Sequence, residues 1–130
     1  TSDDKNAISF KKRVTIKADA NGMYLTKGQI NGKTVEFLVD TGATYVSMSS
    51  GLAEQLKIKY EKGNKIQLET AKGMSIAYEV KLKKVKVGDI ELHNILGVVS
   101  EDMPAITLLG MSFLGKLDMK RKGKTMILEK

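Results

Sequence analysis

Residues 37–44 read Phe-Leu-Val-Asp-Thr-Gly-Ala-Thr, and this stretch decides the fold. Its first three residues form an apolar run, which predicts the end of a strand that is buried on both sides. Asp40 follows the run directly. Gly42 allows the backbone to turn closely beneath the carboxylate, and Thr41 offers a small hydroxyl that can stiffen the turn. The stretch therefore predicts one carboxylate held rigidly at the end of a buried strand.

Strand-like alternation fills most of the chain on either side of this turn. The predicted strands cover residues 8–16, 22–30, 34–39, 65–70, 74–83, 80–87, 90–99, 106–110, 117–119 and 125–128. Asn31-Gly32 predicts a tight hairpin, because both residues tolerate positive φ. Ser49 or Ser50 can cap a short helix, and the alternation slips at Lys83-Lys84, where we predict a bulge or bend. Many short strands with one or two short helices predict an all-β, barrel-like domain.

The chain has the size and composition of one folded domain. It has 130 residues, of which 42% are hydrophobic and 28% charged, a balance typical of globular proteins. Cysteine is absent, which excludes disulfides and thiolate metal sites. No apolar run approaches the roughly 20 residues that span a bilayer. The net charge of +7 favours anionic partners, but without Trp or a nucleic-acid motif we expect no nucleic-acid binding.

Asp40 suits acid–base catalysis, but it has no second copy of its motif within the chain. Hydrolysis of a peptide bond by water requires a base to accept a proton and an acid to donate one. Two carboxyl groups held about 3 Å apart share one proton and do both, aspartic proteases being the standard example. Neither Asp-Thr-Gly nor Asp-Ser-Gly occurs a second time, so such a site needs two chains related by a two-fold axis. An ordinary strand-ending turn is the alternative, since Asp and Gly are common turn formers.

Three motifs, in the same order and with similar spacing, resemble the retropepsin-like aspartic proteases. They are the stretch over 37–44 with the serine-rich helix start after it, the tetrapeptide over 70–73, and Leu-Leu-Gly-Met-Ser-Phe-Leu over 108–114. The resemblance runs from about Gly22 to the C-terminus and is strongest to the single-domain bacterial branch. It implies a closed barrel with one lobe per chain, formed by residues 21–130. Residues 1–20 would be an N-terminal arm, partly in a strand.

The resemblance also assigns a role to each motif. Asp40 would be the catalytic carboxylate. Its turn would be supported by Thr41, Gly42 and Ala43, and the element crossing behind that turn would be Leu108, Leu109 and Gly110. The flap that closes over a bound peptide would comprise Ala71, Lys72, Gly73 and Met74. The flap tip of the viral enzymes is more glycine-rich and apolar, so Lys72 departs from their pattern.

The activity that the resemblance implies is that of a homodimeric aspartic endopeptidase, which uses no metal or cofactor and acts on peptide or protein substrates at acidic pH. Members of the bacterial branch carry an upstream membrane anchor or export signal. Because the chain begins without Met, we expect a processed product. The resemblance implies a location in the periplasm or cell envelope, with anchoring through an N-terminal segment absent from the given sequence and no membrane insertion by the chain as given. The alternatives are a catalytically silent module of the same fold that binds peptides or dimerises, and a basic β-domain that docks on acidic partners or lipid surfaces.

Three other groups of residues have an ordinary explanation. His93 is predicted to be a packing or surface residue, because nothing supplies a paired nucleophile or a second metal-binding imidazole. The lysines at 81, 83, 84 and 86 are predicted to solubilise a strand and block edge pairing, with ligand binding as the alternative. Met74, Met103 and Met111 are interpreted as flexible core filler, with the lining of a substrate groove as the alternative.

Overall fold

The computed structural model describes residues 12–70 and 72–130, and it confirms an all-β fold with two short α-helices. The predicted strand over 8–16 and the predicted flap residue Ala71 lie partly or wholly outside the described residues. The strands are β1 (Arg13–Lys17), β2 (Leu25–Ile30), β3 (Lys33–Val39), β4 (Val46–Ser49), β5 (Lys65–Thr70), β6 (Gly73–Val87), β7 (Ile90–Ser100), β8 (Thr107–Leu109), β9 (Asp118–Lys122) and β10 (Thr125–Glu129). The helices are α1 (Ser50–Gln55), a 3-10 turn (Tyr60–Lys62) and α2 (Met111–Leu114).

Six strands close into a barrel. Their order is β2-β3-β8-β4-β7-β6, and β6 returns to pair with β2 through the register Ile30↔Val85. The seventh strand of this sheet, β5, lies outside the barrel and forms a hairpin with β6. Closure removes most open sheet edges, so the barrel can bury its interior while its outer face stays charged. The largest fully buried side chains include Phe37, Phe113, Ile30, Met48, Leu82, Ile95 and Leu109.

A separate three-stranded sheet, in the order β1-β10-β9, joins the two ends of the described chain. β1 pairs with β10 from Arg13↔Glu129 to Lys17↔Thr125. The Arg13 Nε donates a 2.8 Å hydrogen bond to the buried Glu129 carboxylate. This charge-assisted bond compensates for burying the acid.

The structure confirms most of the turns and helix ends that the sequence predicts. Asn31 and Gly32 have φ of 51° and 85° and connect β2 to β3, as the hairpin signal predicts. Ser49 caps α1, because its Oγ accepts a 3.2 Å hydrogen bond from Leu52 N. β2 begins at Leu25 rather than at residue 22. The reason is a turn in which Asp19 Oδ1 accepts hydrogen bonds from the amides of Asn21 and Met23, both at 2.9 Å.

β6 is interrupted where the sequence alternation slips. Leu82 and Val85 are both fully buried although they are three residues apart. The pairing between β6 and β7 omits Lys83. The residue opposite Lys83 is Asn94, whose φ is 57°. The register is the same on both sides, so the slip predicted at Lys83-Lys84 is a break in pairing without an inserted residue. The part of β6 before this point pairs with β5, and the part after it pairs with β2.

Among residues 12–70 and 72–130, no helix is long and apolar enough to cross a membrane.

Candidate active site

Asp40 lies at the point where β3 leaves the barrel. β3 runs parallel to β8, with Leu38 opposite Leu108 and Val39 opposite Leu109. The strand ladder continues one step further, because Asp40 N donates a 3.1 Å hydrogen bond to Leu109 O. The backbone of Asp40 is therefore fixed by the sheet, while its side chain is half-exposed.

The turn after β3 is organised around the carboxylate. Gly42 N donates a 2.9 Å hydrogen bond to Asp40 Oδ1, and Ala43 N donates a 3.2 Å bond to Asp40 O. A Cβ on Gly42 would lie 3.3 Å from Asp40 Oδ1, so a larger residue would crowd this contact. Thr41 and Gly42 are both exposed. The hydrogen bond from the Gly42 amide fixes the direction of the carboxylate.

Gly110 sits directly behind this turn. A Cβ built there would lie 2.1 Å from Tyr45 O and 2.7 Å from Ala43 O, so only glycine fits. Just after it, Met111 N donates to Ala43 O and Ser112 N donates to Thr44 O, both at 2.8 Å. The start of α2 thus holds the segment that follows the Asp-Thr-Gly turn. The structure brings the predicted support residues Leu108, Leu109 and Gly110 to the turn, with Leu109 and Gly110 buried.

Ser112 is a supporting residue that the sequence alone does not single out. Its Oγ donates a 2.7 Å hydrogen bond to Leu96 O and accepts a 3.1 Å bond from Val46 N. One hydroxyl therefore connects α2, β7 and the start of β4. A serine in the first turn of a helix is common, so this role can be assigned only once the three segments are seen together.

A groove of about 810 Å³ opens on one side of Asp40. One wall is the hairpin of β5 and β6, with Lys72 and Met74, and another is the loop after β7, with Met103 and Ile106. Met74 and Ile106 are 63% and 39% exposed. Apolar side chains left open around a groove are typical of a ligand-binding surface. Met103 and Met74 therefore line the groove, whereas Met111 lies outside its lining.

The hairpin that the sequence predicts to be a flap is attached to the opposite wall of the groove. Ser75 Oγ lies 2.7 Å from Asp102 Oδ2 and donates to that carboxylate, while Asp102 N donates to Ser100 Oγ at 3.3 Å. Ser75 and Ser100 are buried. Neither Ser75 nor Asp102 is recognisable as a functional residue from sequence, because they are far apart in the chain and carry no motif.

His93 and Glu91 do not extend the site. His93 is exposed on β7, and its Nε2 lies 2.8 Å from Glu91 Oε2. This hydrogen bond is the main cause of a lowered pKa at Glu91, with nearby lysines adding to the effect. Neither residue lines the groove. In the described part of the chain, no group of three or more His, Cys, Asp or Glu residues could hold a metal ion.

Known protein families place this geometry in context. The model of the family described as "gag-polyprotein putative aspartyl protease" matches residues 26–116, which include the Asp40 turn and the Gly110 element. A Sinorhizobium protein described as "Uncharacterized protein in cobV 5'region" is 33% identical over 110 residues, covering 83% of this chain and 47% of that protein. An uncharacterized protein of Rickettsia prowazekii (strain Madrid E) is 29% identical over 120 residues, covering 88% of this chain and 50% of its own length. The chain thus spans about half the length of these relatives.

Solved structures give the same answer for the fold. A retropepsin-like aspartic protease from Rickettsia conorii superposes with a TM-score of 0.80 at 28% identity, covering 92% of each chain. The EIAV protease, solved in complex with the inhibitor HBY-793, superposes with a TM-score of 0.61 at 20% identity, covering 78% of this chain and 93% of that one. The second likeness shows the fold alone. Together with the family match, they show that the chain belongs to the retropepsin-like aspartic protease family, in its bacterial branch.

Proposed function

We propose that this chain is one half of a homodimeric aspartic endopeptidase, in which Asp40 of each copy activates one water molecule. The observation that carries the proposal is the construction around Asp40. The carboxylate is fixed by its strand, by the Gly42 amide and by the Gly110 element, yet it is half-exposed beside a large groove. Such rigid placement is what a catalytic group needs, and an ordinary strand-ending turn does not require it.

The second carboxylate would come from the partner's copy of the same turn. A two-fold axis beside Asp40 would bring the two side chains together, because an isologous contact meets its own copy. The turn is exposed at Thr41 and Gly42, which leaves room for this approach. Two carboxyl groups about 3 Å apart share one proton, because both cannot be ionised at that separation.

The proposed reaction is the addition of water to a peptide carbonyl. The ionised carboxylate accepts a proton from water while the water oxygen bonds to the carbonyl carbon. The neutral carboxyl group donates a hydrogen bond to the developing oxyanion. The C–N bond then breaks as a proton passes from the carboxyl pair to the departing nitrogen. The products are a free carboxyl terminus and a free amine, and the pair again holds one proton.

The groove would hold the substrate in an extended conformation. Its walls offer strand backbone on the hairpin side and apolar side chains at Met74, Met103 and Ile106. An extended peptide can add to a hairpin by main-chain hydrogen bonds, while alternate side chains enter apolar pockets. Closure of the hairpin over the peptide would exclude water from the reacting bond.

Replacement of Asp40 by Asn tests the proposal. We expect Asp40→Asn to lower the rate of cleavage of a peptide library by at least ~10³-fold, because it removes the shared acid and base. Asp89→Asn, at the exposed turn between β6 and β7, is the matched control and should cleave like the parent. A fully active Asp40→Asn protein would refute the catalytic role.

Mixing the two proteins tests the requirement for two copies. If each site needs two Asp40 residues, an equal amount of Asp40→Asn protein should lower the activity of a fixed amount of parent to about half, because half of the parent chains enter mixed dimers. Addition of Asp89→Asn protein should cause no loss. Unchanged activity in the first mixture, with exchange of subunits verified by mass, would show that one chain suffices.

A further inference from the structure

A concavity lined by lysines lies away from the Asp40 groove. It has a volume of about 660 Å³ and occupies the place where the edge of β6 has no strand neighbour among the described residues. β5 covers that edge as far as Tyr78, and β2 pairs from Val85 onwards. Residues from three segments surround the gap. The lysines that line it are Lys57, Lys59, Lys62, Lys81 and Lys83.

The described residues offset only part of the positive charge in this concavity. No ion pair joins any of the five lysines to a carboxylate in the part of the chain that the structure describes. Glu79 also lines the concavity, but it accepts long hydrogen bonds of 3.5 Å from Tyr45 Oη and Asn64 Nδ2. Five lysines and one glutamate leave a local excess of four positive charges, out of +7 for the whole chain.

The fold brings these lysines together at some expense in backbone conformation. Lys57 lies just after the C-cap residue of α1 and has φ of 59°, its amide donating to Glu54 O and the next amide donating to Ala53 O. Glycine usually fills this position of a helix end, because other residues are disfavoured at positive φ. Lys81 and Lys83 belong to β6, where both are exposed while Leu82 between them is buried. Sequence-distant lysines therefore surround one space.

We propose that this concavity binds a compact ligand that carries two or more phosphate groups. A phosphate group concentrates about 1.5 to 2 negative charges and three acceptor oxygens, so two such groups match the local excess of four. Lysine ammonium groups bind phosphate as point charges and do not require the planar fork of arginine. An extended acidic peptide fits less well, because carboxylates on one of its faces are about 7 Å apart and carry one charge each.

Two variants with equal net charge test the site. The site variant is Lys59→Gln, Lys62→Gln and Lys81→Gln, and the control is Lys17→Gln, Lys122→Gln and Lys124→Gln. All six positions are exposed, so both proteins should fold like the parent, which circular dichroism verifies. At constant ionic strength we expect the site variant to bind inorganic pyrophosphate at least ~10-fold more weakly than the parent, and the control to bind within about 2-fold.

Two further probes separate the sources of phosphate and the competing class of partner. Phosphatidylcholine vesicles containing phosphatidylinositol bisphosphate carry two phosphate monoesters on one lipid headgroup, and an oligoglutamate peptide carries carboxylates. Binding of pyrophosphate with the expected dependence on the site lysines supports a soluble phosphorylated ligand, and the same dependence with vesicles alone supports a lipid headgroup. Amide resonances of Gly63 and Val80, which line the concavity, should shift on binding.

Three results would overturn the inference. One is an equal loss of affinity in the site and control variants, which would indicate diffuse attraction by the net charge. Another is tighter binding of oligoglutamate than of either phosphate probe. The third is the failure of the parent to bind pyrophosphate or the vesicles, in which case the lysines only solubilise the open edge of β6.

Discussion

Replacement of Gly110 by alanine measures how tightly the turn after Asp40 is held. The added Cβ would meet three backbone atoms at less than 3.0 Å, namely Tyr45 O at 2.1 Å, Ala43 O at 2.7 Å and Tyr45 C at 2.9 Å. None of them can rotate away as the end of a side chain can. Relief therefore requires the segment after Asp40 to separate from the start of α2.

The magnitude follows from this separation. Overpacking of a core site costs about 1–3 kcal/mol, and the upper end applies because every close atom is backbone. Separation also weakens the hydrogen bonds from Met111 N and Ser112 N, whose loss costs about 1 kcal/mol each. We expect Gly110→Ala to lower the free energy of unfolding by about 4–5 kcal/mol, a large part of the ~5–15 kcal/mol of a typical domain.

The assay is urea unfolding followed by far-ultraviolet circular dichroism, because the chain contains no Trp. All proteins should be compared at one concentration, since the proposed dimerisation would stabilise the folded state. Gly51→Ala in α1 is the matched control, where the nearest atom to the added Cβ lies 3.9 Å away. It should stabilise the helix by about 0.5 kcal/mol. A Gly110→Ala protein within about 0.5 kcal/mol of the parent would refute the reasoning, as this is the scatter of neutral substitutions.

Two further predictions concern contacts outside the turn. Ser75→Ala should increase hydrogen exchange at the amides around Met74, because it breaks the 2.7 Å contact with Asp102. Asp102→Asn, which keeps an acceptor, should increase it less, and unchanged exchange in Ser75→Ala would show that this contact does not restrain the hairpin. The pKa of Glu91 is lowered chiefly by its hydrogen bond to His93, so its contribution to folding exists above the unfolded-state pKa and is lost as pH falls through the folded-state pKa. In a carbon-13 titration, His93→Ala should raise the Glu91 midpoint, and an unmoved midpoint would contradict this cause.

The sequence predicts the features that depend on neighbouring residues. The turn after Asp40, the Asn31-Gly32 hairpin and the cap at Ser49 are each set by a few adjacent side chains, and the structure has them where they are expected. The break in alternation at Lys83 is also visible, because strand burial has a period of two residues. The predicted start of β2 at residue 22 is wrong, because the hydrogen bonds to the Asp19 side chain hold the residues before Leu25 in a turn.

Features that join distant segments could not be predicted in this way. Ser112 bridges three elements, and Ser75 reaches Asp102 across the groove. Serine side chains of this kind have no local pattern that marks their partner. The lysine concavity has the same origin, because the gap along β6 exists only once β5 and β2 have both paired with it.

The parallel pairing of β3 with β8 affects when the two strands can pair during synthesis on the ribosome. Val39 pairs with Leu109, about seventy residues later in the chain. At a synthesis rate of about 5–20 residues per second, the ribosome delivers the supporting strand roughly 4–14 s after the acidic loop. The nascent polypeptide therefore emerges with its Asp40 loop not yet paired to β8, and that support arrives only after about seventy further residues have been synthesised.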